Sequence, residues 1–263
     1  MRLFVKIGGA QLEEPGPRRD FCKSVASARR TGHDVVVVHG GGNQIRAVCK
    51  AIGIEDRYHE GLRITDAKTA EIVLMVLGGL VNRTLVGALQ NAGVDAVGLC
   101  GADGASFSAR KLVKAGVDLG FVGEIDGVNP VLLASLLDSA HVPVVATVAP
   151  GRGADDAAPF FNLNADHAAS PLCKALRGDA LLFLTDVPGV LDAEGKLIET
   201  LTPKAGDALV RTGVAKGGMI PKLEAARMAL RENPDALVKV APAGGPDAIL
   251  RGLQEGVGTV FQD

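Results

Sequence analysis

Residues 35–45 read VVVVHGGGNQI: four β-branched residues, a histidine, three consecutive glycines, then residues able to open a helix. β-Branching stiffens an extended chain, so Val35–Val38 reads as a strand, and a run this apolar suits one buried on both faces. The glycines end it. A strand that stops in Gly40-Gly41-Gly42 and turns into a helix presents several backbone N–H groups with no side chain in the way, and the helix dipole adds partial positive charge. Such a turn suits an anion. The competing reading is a tight turn needing positive φ, for which one or two glycines normally serve.

Working outward, strand-like and helix-like segments alternate, which implies parallel pairing with helices on both faces of a sheet. "RLFVKIGG" from Arg2 is an apolar strand, followed by a polar loop with Pro15 and Pro17 and a helix near Phe21–Thr31. Further strands are expected in "AVGLCGADG", "VPVVATVAP", "ALLFLTDVPGV" and "ALVKVAP". In open parallel sheets ligands sit beyond the carboxyl ends of the strands. "APGRGADDAAP", Ala149 to Pro159, is the most loop-like stretch and is expected to be a hinge or hairpin.

The 263 residues, 47% hydrophobic with net charge −2, supply an ample core for one large α/β domain or two lobes. No cluster of Lys and Arg suits a nucleic acid or an anionic membrane surface. The runs Val35–Val38 and Ala180–Leu184 are far shorter than a membrane span, and Met1–Gly9 lacks a signal peptide's h-region, so the expected location is cytoplasmic. Cys22, Cys49, Cys100 and Cys173 form no CxxC pair and read as buried small hydrophobes.

Several familiar motifs fail on spacing. A G-x-G-x-x-G fingerprint starting at Gly40 needs glycine where Ile45 stands. A Walker A loop fails because Gly189 and Gly195 are one residue too far apart and Leu197 replaces Ser or Thr. There is no GxSxG elbow, and His33, His59, His141 and His167 lack metal-ligand spacing. His39 ends a buried strand and reads as a hydrogen-bonded structural residue.

Three polar groups stand out instead. Lys6, near the end of an apolar strand and before Gly8-Gly9, is costly to bury unless it meets an anion or a carboxylate; snorkelling from an edge strand is the alternative. Lys222 in "KGGMIPK" follows a glycine pair where a helix begins. In "FNLNADHA", Asn162, Asn164 and Asp166 share one face of an extended segment, although Asp166 also suits a helix cap. Pro171 would delete an intrahelical donor, so the regular helix is expected either from Asp166 or only from Ser170-Pro171.

Taken in order, "VKIGGA", "VVVVHGGG", "EGLRITD", "FNLNADHAA", "LTDVPGVL" and "GGMIPK" resemble the amino-acid kinase superfamily and, within it, the acetylglutamate kinases of arginine biosynthesis. The likeness spans nearly the whole chain. It implies a three-layer αβα sandwich around a mainly parallel sheet, with residues 1–170 binding the acyl-glutamate and mediating dimerisation and 171–263 binding nucleotide. It implies transfer of a phosphoryl group from ATP to the side-chain carboxylate of N-acetyl-L-glutamate, with Mg2+ carried on the nucleotide phosphates and no metal site on the protein. The acceptor is already ionised, so the task is to hold two anions in line and screen their repulsion.

By the same resemblance Lys6 and Lys222 are the catalytic cations and Asp166 orients them. Gly9, Gly41, Gly42, Arg63 and Asn162 contact the acyl-glutamate, Arg63 as a fork on its α-carboxylate. Gly8, Thr185, Asp186, Gly189, Val190, Leu191, Lys216 and Met219 hold the nucleotide. Alternatives are a kinase for carrier-bound glutamate or aminoadipate, one for another N-acyl glutamate, and a non-catalytic nucleotide sensor. The mixed charge of "RYHEGLRITDAK" favours a free substrate over an acidic carrier.

The segment Ile72–Leu89 is apolar nearly all round, so one sheet cannot cover it. Gly78-Gly79 would let two such helices cross closely on a two-fold axis, and the resemblance implies a homodimer through this helix. Arginine-inhibited relatives add a helix before the first strand; with a strand starting almost at Met1, the expectation is a dimer that L-arginine does not inhibit.

Overall fold

The computed structural model describes residues 1–114, 116–151 and 160–263. The first half runs β1 (Arg2–Ile7), α1 (Gly9–Glu13), α2 (Pro15–Arg30), β2 (Asp34–His39), α3 (Gly42–Ala51), β3 (Tyr58–His59), β4 (Leu62–Arg63), α4 (Ala67–Val73), α5 (Asn82–Asn91) and β5 (Ala96–Leu99). It continues through β6 (Phe107–Lys111), β7 (Val122–Val128), α6 (Val131–Asp138), β8 (Val142–Ala146), β9 (Val148–Pro150) and β10 (Phe160–Leu163). The remainder is α7 (Ala165–Ala175), β11 (Ala180–Thr185), β12 (Thr200–Leu201), α8 (Pro203–Arg211), α9 (Met219–Glu232), β13 (Leu237–Pro242), α10 (Ala248–Gly252) and β14 (Thr259–Phe261).

Eight strands form one sheet in the order β12-β14-β13-β11-β1-β2-β8-β5, parallel throughout except for the β13–β14 pair. Alternation along β1 feeds two cores. Leu3, Val5 and Ile7 enter the cluster under α2 and α5, while Phe4 enters the cluster under α7 and α9. This is the three-layer arrangement expected. A second sheet, β6-β7-β10-β9, and the hairpin β3-β4 stand at the carboxyl ends of the main strands; the sequence reading passed over both. The main sheet runs without a break across residue 170, which lies inside α7.

Several local expectations need correction. Pro15 and Pro17 stand in the first turn of α2, where a missing N–H costs no intrahelical bond, so the helix begins at Pro15 and ends at Arg30. α7 begins at Ala165 and runs through Pro171; its cap is Asn164, whose side chain accepts from the N–H groups of Asp166 and His167, and not Asp166 itself. Of the proposed hairpin, residues 152–159 lie outside the described residues, while the flanking β9 and β10 pair antiparallel. Cys22, Cys49 and Cys173 are buried, but Cys100 is half-exposed.

Between α4 and α5 the chain continues as a π-helical segment, Leu74–Val81. The joined helix, Ala67–Asn91, is long and apolar enough by composition to cross a membrane, unlike the strand-like runs. Half of its most apolar window is packed inside the protein, as in a core helix. Ile72, Val73, Val76, Leu77, Val81, Leu85, Val86 and Leu89 are buried, whereas Met75 and Leu80 are 59% and 57% exposed.

Candidate active site

β1 delivers Lys6 to the middle of the sheet's carboxyl edge, where its side chain is almost wholly buried. The first turn of α7 places Asp166 opposite, and the first turn of α9 brings Lys222. Lys6 Nζ is 2.8 Å from Asp166 Oδ1, and Lys222 Nζ is 3.5 Å from Asp166 Oδ2. One carboxylate therefore bridges two ammonium groups, leaving a net positive charge in a nearly dry site. Burial lowers the Lys6 pKa from its ordinary value; Asp166 opposes that and the like charge of Lys222 adds to it. Burial alone would raise Asp166, but Lys6 and Lys222 together hold it below the usual carboxylate range.

These groups open onto a cavity of about 200 Å3 lined by Lys6, Gly8, Gly9, Gly41, Gly42, Arg63, Asn162 and Asp166, among others. The three glycines after β2 need no positive φ, which sets aside the tight-turn reading. A Cβ on Gly41 would stand 2.7 Å from Leu77 Cδ2 and 3.0 Å from Val81 Cγ2, so close packing against the π-helical segment accounts for it. At Gly42 a Cβ would meet nothing within 4 Å. Neither strain nor packing within the described residues requires that glycine.

Arg63 is buried on β4 and held from three sides. Nη1 pairs with Asp56 Oδ1, Nη2 donates to the Gly42 carbonyl at 2.8 Å, and the guanidinium lies 4.9 Å from the Tyr58 ring centroid. Asn162 Nδ2 donates to Thr65 Oγ1 at 3.2 Å.

The sequence profile of the amino acid kinase family matches residues 1–239. The chain belongs to the amino acid kinase family. It is 45% identical over 249 residues to the acetylglutamate kinase of Koribacter versatilis, covering 95% of this chain and 93% of that one. Its fold is close to the crystal structure of smu.665 from Streptococcus mutans UA159, with a TM-score of 0.84 and 26% identity, over 99% of this chain and 98% of that one. The carbamate kinase of Giardia lamblia bound to AMP-PNP shares the fold at a TM-score of 0.68 and 16% identity, over 99% and 98%.

Within this amino acid kinase, Gly8 is the one residue expected at the nucleotide that lines the glycine cavity. The others gather beyond β11 and before α9. Thr185 Oγ1 donates to Asp186 Oδ1 at 3.1 Å at the end of β11. Leu191 bridges Leu197, and the N–H of Met219, the first residue of α9, donates to the Lys216 carbonyl. Val190 is enclosed: it is 1% exposed in the core, and its N–H donates to Thr259 Oγ1 at 2.8 Å. Gly189 is similarly enclosed, since a Cβ there would lie 2.7 Å from Thr259 Oγ1.

The sequence reading missed Asp56 and Tyr58, which hold Arg63. For Tyr58 a signal was present: "HEGL" between short apolar-polar runs is a hairpin pattern, and the closed turn, with Glu60 and Gly61 at positive φ, brings residues 58 and 63 face to face.

Proposed function

We propose that this protein is a kinase that transfers a phosphoryl group from ATP to the side-chain carboxylate of N-acetyl-L-glutamate, forming an acyl phosphate in cytoplasmic arginine biosynthesis. The observation that carries this reading is the Lys6–Asp166–Lys222 bridge, with Lys6 and Asp166 buried, beside the glycine cavity. Phosphoryl transfer to a carboxylate needs no base; it needs cations where two anions meet, and fixed N–H donors toward the moving group. Lys6 and Lys222 supply the charge and Asp166 keeps them in place. Gly9, Gly41 and Gly42 offer backbone N–H groups at the cavity wall, Asn162 an amide, and Arg63 a fork for the α-carboxylate.

Asp166 is the sole carboxylate among the cavity's described lining residues, and both its oxygens face ammonium groups. That donor set does not suit a protein-bound Mg2+, so the metal is assigned to the ATP phosphates. Residues 171–263, with Thr185, Asp186, Leu191, Lys216 and Met219, are assigned to nucleotide, and residues 1–170 to the acyl-glutamate. The exposed Met75 and Leu80 on the helix through residues 67–91 support a homodimer formed on that face.

The test is purified protein with Mg-ATP and a panel of N-acyl glutamates, with acyl phosphate trapped by hydroxylamine. Hydroxamate formed fastest with the N-acetyl compound supports the reading. No hydroxamate with any member, despite nucleotide binding, overturns it in favour of a nucleotide sensor.

A further inference from the structure

His39 and Asn82 are both wholly buried, and neither touches the cavity. They form a chain. Asn82 Nδ2 donates to the Val144 carbonyl at 2.9 Å and lies 2.9 Å from His39 Nε2, while His39 Nδ1 lies 3.0 Å from the Gly40 carbonyl. The Val144 carbonyl only accepts, so it fixes which end of the Asn82 amide carries nitrogen. Both amide hydrogens are then used, one on Val144 and one on His39 Nε2. Nε2 must accept, so the proton of the neutral ring sits on Nδ1 and is donated to Gly40. The cost is visible at the other end: Asn82 Oδ1 is buried without a hydrogen-bond partner.

The Gly40 carbonyl belongs to the same peptide group as the Gly41 N–H. In a trans peptide these two point in opposite directions, and no cis peptide occurs among the described residues. Holding the carbonyl against His39 therefore turns the Gly41 N–H away from the core, toward the cavity that Gly41 lines. That N–H has no acceptor among the described residues; the first intrahelical bond of α3 is made by Ile45 to the Gly41 carbonyl. A buried histidine that donates to a glycine carbonyl thus leaves one glycine donor free and aimed.

We propose that His39 and Asn82 are positioning residues for phosphoryl transfer, setting the Gly40–Gly41 peptide so that the Gly41 N–H meets the anion in the cavity. This rests on the kinase reading above, and it goes beyond it by assigning a role to two side chains that touch neither substrate. Asn82 selects the histidine tautomer, and the tautomer orients the peptide. Thr147 Oγ1 donates to the His39 carbonyl at 3.2 Å and anchors the same stretch from the other side.

Two measurements test this. In protein labelled with 15N-histidine, His39, assigned by the signal lost in His39→Asn, is expected to show a protonated Nδ1 and an unprotonated Nε2. A protonated Nε2 overturns the proposal, and this readout does not depend on the protein having kinase activity. In hydroxylamine-trapping kinetics, His39→Leu, which lacks the donor, is expected to lower kcat by about 10²-fold with KM values within about threefold. His39→Asn places an amide nitrogen where Nδ1 was and is expected to stay within about fivefold of wild type in kcat. Asn82→Leu is expected to resemble His39→Leu. Equal loss in His39→Leu and His39→Asn, both folded by circular dichroism, overturns the positioning role; if the Leu variants do not fold, the tautomer measured in wild type decides.

Discussion

Lys6 Nζ stands 2.8 Å from Asp166 Oδ1, on side chains that expose only 6% and 8% of their surface. The two residues come from a strand end and a helix start 160 positions apart, and the pair is shielded enough for its charges to act strongly on one another. Removing either partner strands the other.

Lys6→Ala and Lys222→Ala are each expected to lower kcat by about 10²–10³-fold while substrate affinities change far less, because on the proposed reading both cations act on charge that redistributes in the transition state. Steady-state kinetics with hydroxylamine trapping checks this; unchanged turnover in either variant removes that lysine from the chemistry.

Asp166→Ala is expected to cost about 3–5 kcal/mol of stability, since it leaves the buried Lys6 ammonium without its carboxylate and facing the partly buried Lys222. Urea unfolding at neutral pH measures it.

On the proposed reading, the β4 arginine separates the two ligands. Arg63→Ala is expected to weaken acyl-glutamate binding by at least about tenfold with nucleotide binding nearly intact, and Arg63→Lys to rescue little because an ammonium lacks the fork. Calorimetric titration of each ligand is decisive, and an equal loss of both would mean that Arg63 does not belong to the acyl-glutamate site.

Neighbouring glycines are expected to respond in opposite ways. Gly41→Ala meets Leu77 and Val81, both buried, and should destabilise by about 1–3 kcal/mol. Gly42→Ala meets nothing and lies in the first turn of α3, so stability should hold or rise by a few tenths of a kcal/mol, while KM for the acyl-glutamate climbs. Thermal melts beside kinetics distinguish the two.

Burial pushes His39 down to about 4 from an ordinary value of 6.5. The unfolded chain therefore binds a proton between those values that the folded protein refuses. The stability tied to a neutral His39 is complete above about pH 6.5 and is lost as pH falls toward 4, by about 3 kcal/mol. Denaturation midpoints across that window are expected to fall more steeply for wild type than for His39→Asn; parallel profiles would mean that His39 is charged when folded.

How much of this was legible in the sequence depended on whether a residue's neighbours along the chain decided its place. β1, β2 and β11 are continuous apolar runs buried on both faces, and no helix of that length competes with them. β6 and β7 carry Arg110, Lys111, Glu124 and Asp126 on a sheet with one wet face, so their strand character was diluted. Lys6, Lys222 and Asp166 each drew notice because a charge beside glycines is costly without a partner, but their meeting at one point is a property of the sheet order. Asp56 gave no local sign of its bond to Arg63, because only the closed β3–β4 hairpin carries that arginine into its reach.

The wide turns at Leu74–Val81 have a consequence for timing along the helix. An α-helix turns about 100° per residue, and i→i+5 turns advance by less, so over eight residues the shortfall accumulates. Asn82 is the first residue after that stretch, and its inward aim at His39 depends on the accumulated lag. Rewinding all eight residues to regular α pitch would swing Asn82 off the histidine with every apolar side chain still present, whereas deleting one residue as the helix rewinds would bring it back into phase. Angular phase, a quantity that no hydropathy profile records, is what connects this helix to the glycine turn.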